Sequence, residues 1–230
     1  MTSPALLGRR PDPPDPRDHP LERYLAAPAP LPATYVGAKP KVLDQGQTPH
    51  CVGFSGAAVR AVEERRDEKR TLTFDGDDLY ALAKLIDGYP GDGTDIRSAA
   101  KQCQKVGALV KTSPVVAEVG LRRPIAAYAR LSNFTDVKSA IRAYGAAWCG
   151  SSWYDSWFHP RADGTLPQPD AMAGGHAYAL LGWSDKRGAF HAQNSWGTSW
   201  GVGGRFWLPY AYVDFNDFDI WQTIDVLGDK

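Results

Sequence analysis

The chain has 230 residues, 43% hydrophobic and 23% charged, enough apolar material for one compact domain or for two small lobes that share a cleft. Its 26 Lys and Arg balance 26 Asp and Glu, so no cationic surplus exists to neutralise phosphates and no nucleic-acid partner is expected. The longest apolar stretches, such as residues 177–183, fall far short of the ~20 residues that span a bilayer. The Arg9 and Arg10 pair is followed by Pro and Asp, where a secretory signal would continue apolar. A location in the cytoplasm, with no membrane partner, is therefore expected. Cys51, Cys103 and Cys149 allow at most one disulfide and lack the spacing of a metal knuckle, as suits a reducing compartment. Neither a metal nor a cofactor is implied.

Ten of the 18 prolines lie in the first 40 residues. Residues 10–20 and 27–32 cannot form a helix interior or a central strand, and should run extended in the polyproline II conformation. Composition leaves two readings open, a disordered tail or an arm held against the folded body through Leu21, Tyr24, Leu25 and Tyr35. Residues 51–64 put Val52, Val59 and Val62 on one helical stripe, with Phe54, Ala58 and Ala61 beside it. A second helix is expected after Asp75, with Leu79, Leu82, Ala83 and Ile86 inward. A third follows Thr94 or Asp95 as cap and carries Ile96, Ala99, Ala100, Cys103 and Val106, stopped by Gly107. Thr135 or Asp136 would cap a fourth, with Val137, Ala140, Ile141 and Tyr144 inward and Gly145 closing it.

Beyond Gly145 the period changes to two, and residues 146–150, 176–183, 189–195 and 205–208 read as strands. A helical first half and a stranded second half give α+β architecture in two lobes. The expected division is an arm over residues 1–34 and a domain over 35–230, helical to about 118 and β-rich beyond.

Cys51 falls in the first turn of its helix, where unpaired amides and the helix dipole favour a thiolate. Such a site, with an imidazolium nearby, lowers a cysteine pKa from ~8.5 to between ~3.5 and ~7.5. His176 and Asn194 lie on consecutive strands joined by the turn at residues 184–188. If that hairpin is symmetric about residue 185, the two are directly opposite; if about 186, they are offset by two on the same face. In either register Asn194 can accept from one ring nitrogen and leave the other for a thiolate, which is the arrangement of nucleophile, base and orienting group.

Three blocks, Asp44-Gln-Gly-Gln-Thr-Pro-His-Cys-Val-Gly-Phe-Ser55, Gly174-Gly-His-Ala-Tyr-Ala-Leu-Leu-Gly-Trp183 and Gln193-Asn-Ser-Trp-Gly-Thr-Ser-Trp-Gly201, together resemble the papain family of cysteine peptidases. The resemblance covers about residues 40 to 210, and the proline-rich start is similar to that of bacterial members. It implies a two-lobed fold, a helical lobe and a β-barrel-like lobe with the active-site cleft between them. It assigns Cys51 as nucleophile, His176 as general base and acid, Asn194 as the group that orients the imidazole, and Gln45 as side-chain donor of the oxyanion hole. Trp196 would cover the His176–Asn194 hydrogen bond, and Gly93, Gly175 and Trp196 are expected on the substrate side. Thr48 replaces a disulfide cysteine common in eukaryotic members, and Val52 replaces a common tryptophan.

The implied activity is cleavage of peptide bonds in peptide or protein substrates by a monomer, with the arm lying on or near the cleft as an autoinhibitory segment. A transpeptidase or amidase would use the same site. A binding module that has lost catalysis would be expected to have lost one of the four groups, and none is missing.

Overall fold

The computed structural model describes residues 6–25 and 30–225. Residues 27–29 of the expected extended run 27–32 therefore lie outside the described residues. After a single 3-10 turn at Leu21–Arg23 come β1 (Thr34–Val36), α1 (Cys51–Asp67), β2 (Thr73–Phe74), α2 (Gly76–Lys84) and α3 (Ile96–Lys105). Next are β3 (Ala108–Thr112), β4 (Arg122–Arg123), β5 (Ala127–Arg130) and α4 (Phe134–Tyr144). The chain ends with β6 (Ala147–Tyr154), β7 (Met172–Ser184), β8 (Ala189–Gln193), β9 (Arg205–Pro209) and β10 (Asp219–Ile224).

Short polar side chains set the helix starts. Asp75 accepts from the amides of Asp77 and Asp78 to open α2, and Asp95, not Thr94, accepts from the Ser98 amide to open α3. At α4 the cap is Asn133, whose oxygen accepts from the Asp136 amide; Thr135 and Asp136 lie inside the first turn. Gly145 then ends α4 in the left-handed region, with φ of 100°.

Helix α1 departs from the single apolar stripe read in the sequence, because it is buried on all sides from Cys51 to Glu64. Bare backbone makes this possible. A Cβ on Gly53 would come 2.0 Å from the Gly76 carbonyl oxygen, and one on Gly56 would come 2.4 Å from the Trp148 ring. The charges that α1 takes inside are paired: Arg60 meets Glu63 at 2.5 Å, Asp225 at 3.1 Å and Glu64 at 3.2 Å. Glu63 Oε1 also accepts from Thr223 Oγ1 at 2.5 Å and Gln222 Nε2 at 2.9 Å, which fixes the helix that carries Cys51 to β10.

The large sheet has the strand order β5-β10-β6-β7-β8-β9, all antiparallel, with β1 paired to the far end of β7. Where the sequence implied a barrel-like lobe, the ladder is open: among the described residues its edges β5 and β9 do not pair. Both faces are covered. Ala177, Ala179 and Leu181 of β7 pack into the cluster around α1, α2 and α3, while Tyr178 and Leu180 enter a second cluster with Trp153, Trp157, Phe190 and Phe206. These two clusters are the two lobes. Strands β2, β3 and β4 form a separate small sheet. No described helix is long and apolar enough to cross a membrane.

Candidate active site

Cys51 is the first residue of α1 and is fully buried. Its neighbour His50 directs Nδ1 at Asp77 Oδ1, 2.7 Å away, and stacks on Tyr80 with centroids 3.9 Å apart. The backbone of Ala177 and of Gly8 lies close enough to the Cys51 thiol to oppose the rise of its pKa. Ala177 follows His176, so the sulfur lies beside the imidazole-bearing strand.

His176 is buried on β7 opposite Ser151 of β6. The β7–β8 hairpin adopts the offset register, with Ala179 opposite Gln193 and Leu180 opposite Ala192, and one irregularity between Leu180 and Gly182. His176 and Asn194 therefore meet diagonally, Nε2 to Oδ1, at 2.8 Å. Asn194 Oδ1 also accepts the Ser195 amide at 2.7 Å. An oxygen that already accepts an N–H must accept again from the ring, so Nε2 carries the proton and Nδ1 is the free base. Among the described residues Nδ1 has no hydrogen-bond partner. Trp196 stacks on the imidazole at 4.5 Å and 29°, and Trp153 meets it edge-on at 4.8 Å, closing the His176–Asn194 pair from water.

Gln45 approaches from the segment before α1. Its Oε1 accepts from Ser195 Oγ at 2.7 Å, and its amide nitrogen donates to Thr48 O at 2.6 Å and to Leu6 O at 3.1 Å. Ser195 thus fixes which end of the amide points into the cleft.

The described part of the N-terminal arm runs through this cleft. Gly8 O accepts from the Thr94 amide at 2.9 Å, Arg10 N donates to Thr94 O at 2.8 Å, and Arg9 N donates to Gly175 O at 2.9 Å. Arg9 and Thr94 pair as a parallel bridge. Gly175 therefore offers its carbonyl to an extended backbone, and Thr94, rather than Gly93, exchanges the strand-like bonds. Gly93 supplies room: with φ of 85°, a Cβ there would lie 2.6 Å from Gly8 O. Further along, Asp12 Oδ1 accepts from the Arg97 amide at 3.0 Å and Oδ2 from Trp221 Nε1 at 2.5 Å, and the Arg97 guanidinium holds Asp18 at 2.5 Å.

Burial opposes the charge state expected from the helix position. Burial pushes the Cys51 thiol up to about 11, against the smaller lowering by the amides around it. Burial likewise pulls His176 down to about 4, with the Asn194 hydrogen bond opposing. Both shifts favour the neutral forms of the thiol and the imidazole. Cys103 and Cys149 are also fully buried, and burial raises both thiols.

Three residues around the site were not assigned in the sequence: Ser195, Thr94 and Trp153. Ser195 stood inside the Asn-Ser-Trp-Gly block; the others carry no local signal.

No family model matches the chain. Among curated proteins, an uncharacterized peptidase C1-like protein of Acanthamoeba polyphaga mimivirus is 45% identical over 40 residues, 17% of this chain and 13% of that protein. A gut-specific cysteine proteinase of Caenorhabditis elegans is 29% identical over 84 residues, 36% of this chain and 26% of that protein. The matches thus span about a quarter or less of those relatives. Solved structures match along nearly the whole chain. Xylellain, a cysteine protease from Xylella fastidiosa, superposes with a TM-score of 0.82 at 24% identity, covering 97% of both chains. A proCathepsin B from Trypanosoma congolense gives 0.72 at 15% identity, over 99% of this chain and 85% of that one. The digestive procathepsin L 3 of Tenebrio molitor gives 0.68 at 18% identity, over 87% and 72%. The chain has the papain-like cysteine protease fold, in agreement with the resemblance carried by its three sequence blocks.

Proposed function

We propose that the chain is a papain-like cysteine peptidase, residues 35–230 forming the catalytic domain and residues 1–34 an arm that holds it latent. One observation carries the reading: His176 is bonded through Nε2 to Asn194 Oδ1 at 2.8 Å and keeps Nδ1 unpartnered beside the strand whose next amide meets the Cys51 thiol. An oriented ring nitrogen left unpartnered on the strand beside the thiol supports His176 as the base for the thiol proton.

In the reaction, Nδ1 of His176 accepts the Cys51 proton and the thiolate attacks a peptide carbonyl. The resulting oxyanion is held by Gln45 Nε2 and the Cys51 amide. His176 then returns the proton to the leaving amine, and water hydrolyses the thioester with His176 again as base. One oxyanion donor is worth about 2.7–4 kcal/mol in comparable sites.

Two features support latency. Leu6 O occupies the Gln45 amide nitrogen, and the Gly8 backbone lies beside the thiol. The Gly8 carbonyl points at the Thr94 amide. The arm thus occupies both the Gln45 amide and the strand-like acceptor and donor groups of Thr94 and Gly175 that a substrate backbone would need. The unpaired thiols of Cys51, Cys103 and Cys149 favour a reducing compartment, and we assign the cytoplasm.

The test is hydrolysis of fluorogenic peptides by the full chain carrying Gly8→Ala, which cannot seat the arm. Turnover that disappears with Cys51→Ala is expected. Folded Gly8→Ala protein that neither hydrolyses peptides nor reacts at Cys51 overturns the peptidase reading.

A further inference from the structure

We infer that Lys84, the last residue of α2, aims the peptide unit whose N–H receives the substrate backbone. The inference rests on the peptidase reading and adds to that site a positioning residue outside its four chemical groups.

The Thr94 N–H, which donates to Gly8 O at 2.9 Å, shares one planar peptide unit with the carbonyl of Gly93. In a trans peptide the two groups point in opposite directions, so whatever holds the carbonyl aims the N–H. The Lys84 ammonium holds it. Nζ donates to Gly93 O at 3.0 Å and to Tyr89 O and Gly91 O, both at 2.9 Å. Asp87 Oδ2, on a fully buried side chain, lies 2.9 Å from the same nitrogen. On the other side of Gly93, its amide donates to the Tyr80 hydroxyl at 2.9 Å. Tyr80 and Lys84 stand one turn apart on one face of α2, which packs on α1. Tyr80 also stacks on His50, the neighbour of Cys51, so one side chain links the nucleophile's helix start to the substrate edge.

The loop between α2 and α3 has little else to hold it. Residues 85–95 include no cysteine, and Leu85 and Ile86 are exposed, as are residues 88 and 90–92. Neither a disulfide nor apolar burial therefore fixes the edge. Gly93 has φ of 85°, and a glycine rotates its following peptide unit at low steric cost. Such a rotation would withdraw the Thr94 N–H and turn Gly93 O towards the cleft. Two carbonyls, those of Gly93 and Thr94, would then face a substrate that needs one donor and one acceptor. Lys84 opposes the rotation, because its charge-assisted bond to Gly93 O would be lost. The same bond polarises the peptide unit and makes the Thr94 N–H the stronger donor. That N–H serves bound substrate and transition state alike, so its loss belongs in KM and not in kcat.

The test is Lys84→Met, which removes the ammonium and keeps an unbranched side chain of good helix propensity. In the full chain carrying Gly8→Ala, hydrolysis of fluorogenic peptides should show KM raised about tenfold and kcat within about twofold of its starting value. In the otherwise unaltered chain, amide hydrogen exchange followed by NMR should show Thr94 exchanging at least about tenfold faster, with α1 and β7 unchanged. Unchanged exchange at Thr94 overturns the assignment whatever the kinetics. An unchanged KM in a hydrolysing chain overturns it as well. A fall in kcat, or faster exchange shared by α1 and β7, makes Lys84 a support of the fold and overturns the positioning role. Faster exchange confined to the loop, in a chain whose Gly8→Ala form hydrolyses nothing, removes the peptidase reading and leaves Lys84 as the group that aims Thr94. Should Lys84→Met not fold, Tyr80→Phe, which frees only the Gly93 amide, gives the same two readings with KM raised about threefold.

Discussion

A Cβ placed on Gly8 would lie 1.8 Å from the carbonyl oxygen of Pro49, two residues before Cys51. The arm can sit in the cleft only because this position has no side chain. Gly8→Ala should therefore lift the tip of the arm while Asp12, Asp18 and Leu21 still hold the remainder. Peptide hydrolysis by the full chain is expected to rise at least about tenfold, equivalent to ~1.4 kcal/mol of lost docking. Gly91→Ala, where the nearest atom is Arg10 NH2 at 3.7 Å, should leave the rate unchanged.

Asn194 acts on the reaction through His176. Its oxygen fixes the ring tautomer with Nε2 protonated, so Asn194→Ala should lower kcat about 10–100-fold and change KM little, the range found when a group that orients a functional imidazole is removed. Steady-state kinetics in the Gly8→Ala background measure both. A rise in KM alone would mean that Asn194 serves only the shape of the cleft.

Ser195 holds Gln45 by accepting none of the work itself: its hydroxyl donates to Gln45 Oε1 at 2.7 Å and so presents the amide nitrogen to the cleft. Ser195→Ala should cost kcat about tenfold, and Gln45→Ala about 100- to 1000-fold, the loss of a whole oxyanion donor. If the serine variant loses as much as the glutamine variant, its role is in the fold and not in aiming the amide.

Latency should depend on pH through Asp12 of the arm and through His176 and Cys51 beneath it. Asp12 is pushed up to about 8, first by burial and then by Asp219, with Asp95 adding to the rise and the Arg97 amide and Trp221 opposing it. The docked arm keeps a proton that a free aspartate gives up near ~4, so docking is strongest below ~4 and is lost as pH rises towards about 8. His176, held down to about 4, acts oppositely: docking weakens as pH falls from ~6.5 towards 4. The two trends offset each other below ~6.5, and between ~6.5 and 8 Asp12 acts alone. The ratio of Gly8→Ala to parent activity should shrink over that interval, and Asp12→Asn should flatten the trend. Above ~9 the raised Cys51 thiol continues the loosening towards about 11.

The four catalytic candidates were legible in the sequence because each sits inside a block whose residue types the chemistry itself requires. The hairpin turn at residues 184–188 also limited His176 and Asn194 to two registers, both within reach, and the structure adopts the offset one. Helix α1 was placed correctly but its burial was not, since Gly53 and Gly56 permit close packing on sides that a periodicity reading leaves to solvent. Strands β1 to β5 and β10 were missed. Ala127–Arg130 is four residues long, and Asp219 opens β10 with a charge that is tolerated only because Arg9 and Arg130 pair with it. The depressed thiol pKa expected at a helix start is not found, because burial outweighs the backbone amides around the sulfur.

Labelling with a peptide epoxide or vinyl sulfone, followed by mass spectrometry, should be done on the parent chain, on Gly8→Ala and on Gly8→Ala with Cys51→Ala. An activated Cys51 under a removable arm predicts slow labelling of the parent, fast labelling of Gly8→Ala at Cys51, and none once Cys51 is replaced. Equal rates for parent and Gly8→Ala would contradict latency. Absence of an adduct at Cys51 in folded Gly8→Ala protein would contradict the peptidase itself.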